Sequence, residues 1–469
     1  MTAPTQALVD FTLKTDFAAM PEPVVRQGKR LLLDSLGCAL AGRVTKKAGI
    51  INDFIQEEGG KAQARIIGQS RTSYPLATFA NAELISALDH DALGPITGHI
   101  VPYVIPPCLA AGEKAKASGK DFITAVVIAH EIGGRILTSM AQRRVPKAEP
   151  PYWEDSPRFS FSPTVFGGVA GACKLLRLDG EATANALGIA GASAPVPASQ
   201  KWEHITTGPG IMVKYNSWAG WTAQLATVAA LLAEKGFTGD TTILDGDWGF
   251  WKIVGSPFFL PEKLTGGLGQ TWHLDEVIFK EYPCCNGNQT GIEAITRIMQ
   301  ESGIKVEDIQ DIRVKGAPVL ICPCREGAEL RQSLDTEFIN AYLFAVAAYL
   351  GGKPGPEWHS AATAGDPGIN ALMKKVKVEL HPKAARLPAF TDVTVEITAG
   401  GKKFTAQVEH QKGSAKKPMT DDELKDKFRT NAYYSLGKSS RVEKIIEAID
   451  HMEDLASMTE LTRLLTPAR

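Results

Sequence analysis

Between Asn81 and Val101 the chain leaves an apolar helical run and enters a stretch where Asp89 and Asp91 flank His90, followed by Gly94, Pro95, Gly98 and His99. A carboxylate beside an imidazole is the pairing that makes a general base. The carboxylate accepts one ring N–H, fixes the tautomer and leaves the other nitrogen to take a proton. Either Asp89 or Asp91 can orient His99 in this way. The stretch holds too many polar and turn residues to be core, and loops carried on a rigid scaffold are where catalytic groups concentrate. A solvated loop is the plain alternative.

Two lysines sit in apolar or small-residue surroundings, Lys214 after Gly210-Ile211-Met212-Val213 and Lys280 between Val277-Ile278-Phe279 and Glu281-Tyr282-Pro283-Cys284-Cys285. An ammonium in such a setting needs an anion. A substrate carboxylate would supply one, and the fixed positive charge would stabilise the enediolate-like charge left when a proton departs beside a carboxylate. An internal Asp or Glu, or a stem that reaches solvent, is the competing explanation. Cys284-Cys285 and Cys322-Pro323-Cys324 lack the two-residue spacer of a zinc knuckle or ferredoxin-like site, so no metal site is expected. His130, in a helical pattern without the second histidine of a zincin, is expected to be structural.

The elements that must position these groups follow from periodicity. Val24, Val25, Leu31, Leu32, Leu36 and Ala39 recur at helical spacing between Pro23 and Gly42. Similar runs at Phe79–Leu88, Pro106–Ala117, Asp121–Leu137, Thr164–Leu176, Glu181–Ala192 and Ser217–Lys235 make the first half almost wholly helical. The glycines of Phe166-Gly167-Gly168-Val169-Ala170-Gly171-Ala172 follow no strand, so they indicate close helix packing rather than a phosphate loop. After about Gly266, Ile312–Lys315 and Val376–His381 alternate like strands, and Val393–Ile397, Gly400-Gly401 and Phe404–Val408 form a hairpin pattern. Thr336–Leu350 has a helical stripe, Thr420 to Glu423 is a capping box, and Arg441–Ala456 and Thr459–Leu465 return to helix. The expectation is a mostly α protein, with a large all-helical domain at 1–265 and 412–469 and a smaller α+β lid domain at 266–411. A cleft between two such domains is a favoured ligand site.

Composition narrows the partners. Lys and Arg number 51 against 52 Asp and Glu among 469 residues, so no bulk field attracts nucleic acid or an anionic membrane. No uninterrupted apolar run reaches the length of a membrane span. The first residues lack a secretory pattern and the 7 cysteines are odd in number, which gives a cytoplasmic protein with reduced thiols as the expectation.

Four blocks carry a resemblance. Leu33-Asp34-Ser35-Leu36-Gly37-Cys38-Ala39-Leu40-Ala41-Gly42, the Asn81–His99 stretch, Ala230–Gly239 and Lys280-Glu281-Tyr282-Pro283-Cys284-Cys285 resemble, in order and spacing, successive signatures of the MmgE/PrpD family. Its members dehydrate, decarboxylate or epimerise small polycarboxylates without needing a metal. The resemblance implies a homodimer of two-domain subunits. It carries the family's loop aspartate onto Asp89, its loop histidine onto His99, its two lysines onto Lys214 and Lys280, and its lid-domain tyrosine onto Tyr342. It is broken where Ser162 stands in place of a histidine before Pro163-Thr164, where Gln289 replaces a second histidine, and where Ala92 and Leu93 replace Asp and Thr.

The expected activity is therefore a cofactor-independent hydro-lyase (dehydratase) acting on a small carboxylate substrate. In it His99 takes the α-proton, Asp89 orients His99, Lys214 and Lys280 hold carboxylates, and Tyr342 or a water protonates the leaving hydroxyl. Asp91, Leu93, Ser162, His204, Tyr282, Cys284 and Gln289 are expected to line the substrate. An epimerase or isomerase with His204, Tyr342 or Lys280 as the opposite-face acid, a decarboxylase, and a non-catalytic carboxylate binder are the alternatives. Trp153, Phe159, Phe161, Trp202 and Trp218 would suit a bulkier or more apolar ligand, or serve as core and dimer contacts.

Overall fold

The computed structural model describes residues 3–140, 161–194, 212, 218–256, 258–321, 329–330, 333–382 and 392–466. Lys214 and His204 lie outside the described residues, as do Trp153, Phe159 and Trp202. The first half contains helices α1 (Pro4–Lys14), α2 (Glu22–Gly42), α3 (Lys46–Glu58), α4 (Tyr74–Ile85), α5 (Val101–Ala115), α6 (Gly119–Met140), α7 (Val165–Leu176), α8 (Gly180–Ser193) and α9 (Ala219–Ala233). One element departs from the all-helical expectation. Strands β1 (Ala64–Arg65) and β2 (Arg71–Thr72) form a small antiparallel pair, too short to leave a two-residue period in the sequence.

Close helix packing explains the glycines of α7. A Cβ on Gly167 would lie 2.2 Å from the Ala129 carbonyl oxygen of α6, and one on Gly171 would lie 2.5 Å from Cys108 Sγ of α5. The backbones touch at these points because no side chain intervenes. By length and composition α6 is apolar enough to cross a membrane, but 94% of its most apolar window is buried inside the protein, where it serves as the central core helix. Its buried Arg135 is held by Glu131 at 2.6 Å and donates to the carbonyls of Gly266, Gly267 and Thr271, while Glu131 accepts the His273 N–H at 2.7 Å. These bonds anchor the segment that leads into Lys280.

The second half adds α10 (Gln289–Ser302), α11 (Asn340–Tyr349) and α12 (Pro367–Met373) beside strands β3 (Ile309–Gly316), β4 (Val376–Leu380), β5 (Val393–Ala399) and β6 (Lys402–Val408). The sheet runs β4-β3-β5-β6, with β3 and β4 parallel and the other neighbours antiparallel. Gly400 and Gly401 both take positive φ, 56° and 75°, as a two-residue hairpin turn demands. The fold is predominantly helical with a smaller mixed sheet. Its buried apolar side chains form one large core, drawn from Leu8 to Phe279 and again from Met419 to Leu465, and a smaller one drawn from Tyr282 to Val408. Helices α13 (Asp421–Leu436), α14 (Ser440–Asp450) and α15 (Met458–Leu464) complete the large core, and α13 opens on the capping box between Thr420 and Glu423.

His130 is buried in α6, and neither ring nitrogen has a hydrogen-bond partner among the described residues. Burial pushes its pKa from 6.5 down to about 3, with His273 acting in the same direction. Between those values the unfolded chain binds one more proton than the folded one at this site. Stability therefore falls as pH drops below 6.5, by about 1.4 kcal/mol per unit from this residue. His130→Leu is expected to lose less stability between pH 7.5 and pH 5 than the wild type in chemical denaturation; an unchanged pH dependence would contradict the assignment.

Candidate active site

Helix α4 ends at Ile85, and four residues later Asp89 takes φ of 51°, a left-handed conformation that aspartate tolerates better than most residues. From there the chain bends again at Asp91 and enters the bridge at Leu93. Asp89 and Asp91 turn their carboxylates toward His99, while His90 turns away to donate through Nε2 to the Glu281 carbonyl at 3.1 Å. A second turn at Pro95–Thr97, closed by Gly94 N–H to Gly98 O at 2.8 Å, brings His99 back over the aspartates. Leu93 exchanges backbone bonds of 2.9 and 2.8 Å with Ile278, which lays the 277–281 segment alongside and delivers Lys280.

The cluster has a definite polarity. His99 Nδ1 lies 2.6 Å from Asp91 Oδ2, and Nε2 lies 3.5 Å from Asp89 Oδ1. Lys280 Nζ donates to the Asp89 carbonyl at 2.6 Å and stands 3.2 Å from Asp89 Oδ2. The close orienting contact to His99 thus comes from Asp91, while Asp89 is bound by Lys280. Burial acts to raise the Asp91 carboxyl, but the His99 imidazole and its hydrogen bond, with the Lys280 ammonium, outweigh it and hold the group below its usual value. Burial likewise opposes the charge on Lys280, while Asp89 and Asp91 more than offset it and raise its pKa. Side-chain exposure is 2% for Asp89 and 0% for Asp91 and Lys280 but 10% for His99, so the imidazole is the most exposed member of the cluster. The Phe161 ring packs on it at 5.5 Å between centroids.

Other expected residues take different places. The Tyr342 hydroxyl is buried in the smaller core and donates to the Trp358 carbonyl, and burial raises its pKa. Tyr282 stacks on Trp358 with centroids 5.7 Å apart. Gln289 spends its amide on backbone, accepting from the N–H groups of Glu281 and Tyr282 at 3.2 and 3.0 Å and donating to the Tyr282 carbonyl at 2.9 Å. It fixes the loop that follows Lys280. Cys284 is fully buried at 3.4 Å from the Gln289 amide, and burial pushes its thiol well above the usual value. Leu93 contributes backbone, and Ser162 is buried at the start of a short turn before α7, its hydroxyl without a partner among the described residues.

Asp89, Asp91 and His99 have the donor types and spacing of a two-carboxylate, one-imidazole metal site. Those carboxylates already face an ammonium and an imidazole N–H, so a divalent ion would have to displace the Lys280 charge. The donor set fits proton transfer better than metal ligation.

Sequence reasoning passed over Asp34, His90, Lys427 and Asn431, which stand directly behind the loop. Lys427 Nζ donates to Asp34 Oδ1 at 2.6 Å and to the His90 carbonyl at 2.9 Å, and the Ala92 N–H donates to Asp34 Oδ2 at 3.1 Å. The available signal was a carboxylate inside the apolar stripe of α2. Lys280→Met would leave the buried Asp89 carboxylate without that ammonium, at a cost of about 3–5 kcal/mol. Asp89→Asn added to it should recover a large part of the loss in urea denaturation, and strictly additive single effects would contradict the pairing.

The chain matches the MmgE/PrpD N-terminal domain over residues 6–260 and the MmgE/PrpD C-terminal domain over residues 282–452. It is 25% identical to a cis-aconitate decarboxylase of Homo sapiens over 95% of this chain and 91% of that protein. Against a cis-aconitate decarboxylase of Mus musculus it is 26% identical over 95% and 90%, and against one of Aspergillus terreus (strain NIH 2624 / FGSC A1156) 26% over 95% and 92%. With both family domains present in order across most of its length, the chain belongs to the MmgE/PrpD family.

Proposed function

We propose that this protein is a lyase that moves a proton at the carbon beside a carboxylate of a small polycarboxylate, with His99 as the acid–base group. The observation that carries this reading is the 2.6 Å contact of His99 Nδ1 with Asp91, which leaves Nε2 as the proton-accepting nitrogen of the most exposed residue in a buried charge cluster. In the dehydration direction Nε2 takes the α-proton, the C–H electrons become the new double bond, and the β-hydroxyl leaves as water after protonation. The imidazolium so formed faces the carboxylates of Asp91 and Asp89. Lys280 holds Asp89 in place and adds positive potential, and Lys214 is the group expected to meet a substrate carboxylate directly. In this reading no cofactor is required, because the proton goes to an imidazole and the negative charge to ammonium groups.

Decarboxylation is the second reading, favoured by the names of the similar proteins. The carbon–carbon bond to a carboxylate breaks, carbon dioxide leaves with the electrons remaining on carbon, and the His99 imidazolium returns a proton there. Family membership also supports a homodimer. Trp218 and Trp221 stack at 5.7 Å at the start of α9, and Val44, Ile50 and Phe54 are exposed on and before α3. The two faces adjoin because Glu83 of α4 receives both Lys47 of α3 and the Gly220 N–H of α9.

Proton NMR in deuterated water with methylcitrate, aconitate and iminodisuccinate separates the reactions by water loss, carbon dioxide release and solvent exchange. His99→Gln should lower whichever rate is found by about 100-fold or more with the fold intact, and wild-type turnover in that variant would remove the assignment. Trp221→Glu should shift a dimer toward monomer in light scattering; an unchanged mass would place the interface elsewhere.

A further inference from the structure

We propose that Asp34 and Lys427 are positioning residues for the acid–base step: their buried ion pair clamps the backbone on both sides of Asp91 and so sets the angle at which Asp91 holds His99. This rests on the reading of His99 given above. The clamp has three parts. Lys427 donates to the His90 carbonyl at 2.9 Å, which is the peptide oxygen just before Asp91. Asp34 Oδ2 accepts from the Ala92 N–H at 3.1 Å, which is the peptide N–H just after it. The two side chains are joined to each other at 2.6 Å through Asp34 Oδ1. Asp91 can therefore neither rotate its peptide planes nor slide along the loop without breaking a charged hydrogen bond.

The surrounding helices are shaped for this contact. Asp34 stands on α2 among Leu31, Leu32, Leu33 and Leu36, where its side chain has 0% exposure, and Lys427 has 7%. Gly37, one turn along α2, lets α13 come close: a Cβ there would lie 3.1 Å from Phe428 Cδ2. One turn beyond Lys427, Asn431 donates to His90 Nδ1 at 3.4 Å, so two residues on one face of α13 serve the same loop. A buried ion pair does little for stability compared with an apolar pair of the same volume. What an apolar pair would not supply here is a donor and an acceptor at fixed positions flanking Asp91.

The test compares Lys427→Met, Lys427→Gln and Lys427→Arg with the wild type. Each is measured for the rate of the reaction found with the acids above, KM, thermal midpoint, and the titration of the His99 imidazole by NMR. A misplacement of this kind costs up to roughly 100-fold in rate. Lys427→Met is expected to lower kcat by about 10- to 100-fold with KM little changed, and to move the His99 titration midpoint. Lys427→Arg, which keeps charge and donors, should recover part of both, and Lys427→Gln, which keeps only a donor, should fall between. If Lys427→Met does not fold, the Gln and Arg variants carry the comparison. A wild-type rate with an unmoved His99 titration would overturn the proposal, as would a rate loss that follows thermal midpoint alone with no recovery in the Arg variant. Should the wild type turn over none of the acids, the functional reading fails separately, and the His99 titration still decides the clamp.

Discussion

The hydrogen bond between His99 Nδ1 and Asp91 is the interaction on which the proposed chemistry depends, because it fixes the nitrogen that remains to take a proton. An imidazole free to rotate would offer either nitrogen. One tied at 2.6 Å to a buried carboxylate offers Nε2. The bond is possible because the loop that follows a left-handed Asp89 carries the side chains of residues 89 and 91 to His99 and that of residue 90 to Glu281. Everything behind the loop serves that arrangement: His90 is bound away to Glu281, Leu93 pairs with Ile278, and the turn at 95–97 returns His99 over its partners.

The charge balance is local. The chain's near-zero net charge hides a buried group in which Asp34, Asp89 and Asp91 meet Lys280, Lys427 and the imidazole. Taking so many ionisable groups out of water is costly, and the cost is offset only when every charge has a partner at hydrogen-bond distance. The helical core provides this by bringing α2, the α4–α5 loop, the 277–281 segment and α13 to one place. Helix α13, far away in sequence, is thus part of the same electrostatic unit as the loop.

Much of this was legible in the sequence where the signal is local. The hairpin at Gly400-Gly401, the capping box at Thr420 and the periodic helices α2, α6, α7 and α8 follow from short-range rules, and the glycines of α7 pack helices closely, as their context implied. The candidate loop could be named from its residue types alone. What was illegible depends on long-range pairing. The bond between Asp34 and Lys427 spans 393 positions, and nothing near either residue announces the other. Gln289 stands at a site that family resemblance assigns to a histidine, yet its amide is spent on neighbouring backbone. Tyr342 has a hydroxyl whose partner, the Trp358 carbonyl, only the folded smaller core reveals. For α5, the prolines at 106 and 107 suggested a start that the fold moves back to Val101.

The tautomer and orientation of the His99 ring can be read directly. Long-range nitrogen–proton correlation NMR on histidine-labelled protein, with the His99 signal assigned by its loss on substitution, reports which nitrogen carries the proton in the neutral form. A proton on Nδ1 and an unprotonated Nε2 are expected in the wild type. A neutral His99 protonated on Nε2 would contradict the assignment of Nε2 as the proton acceptor.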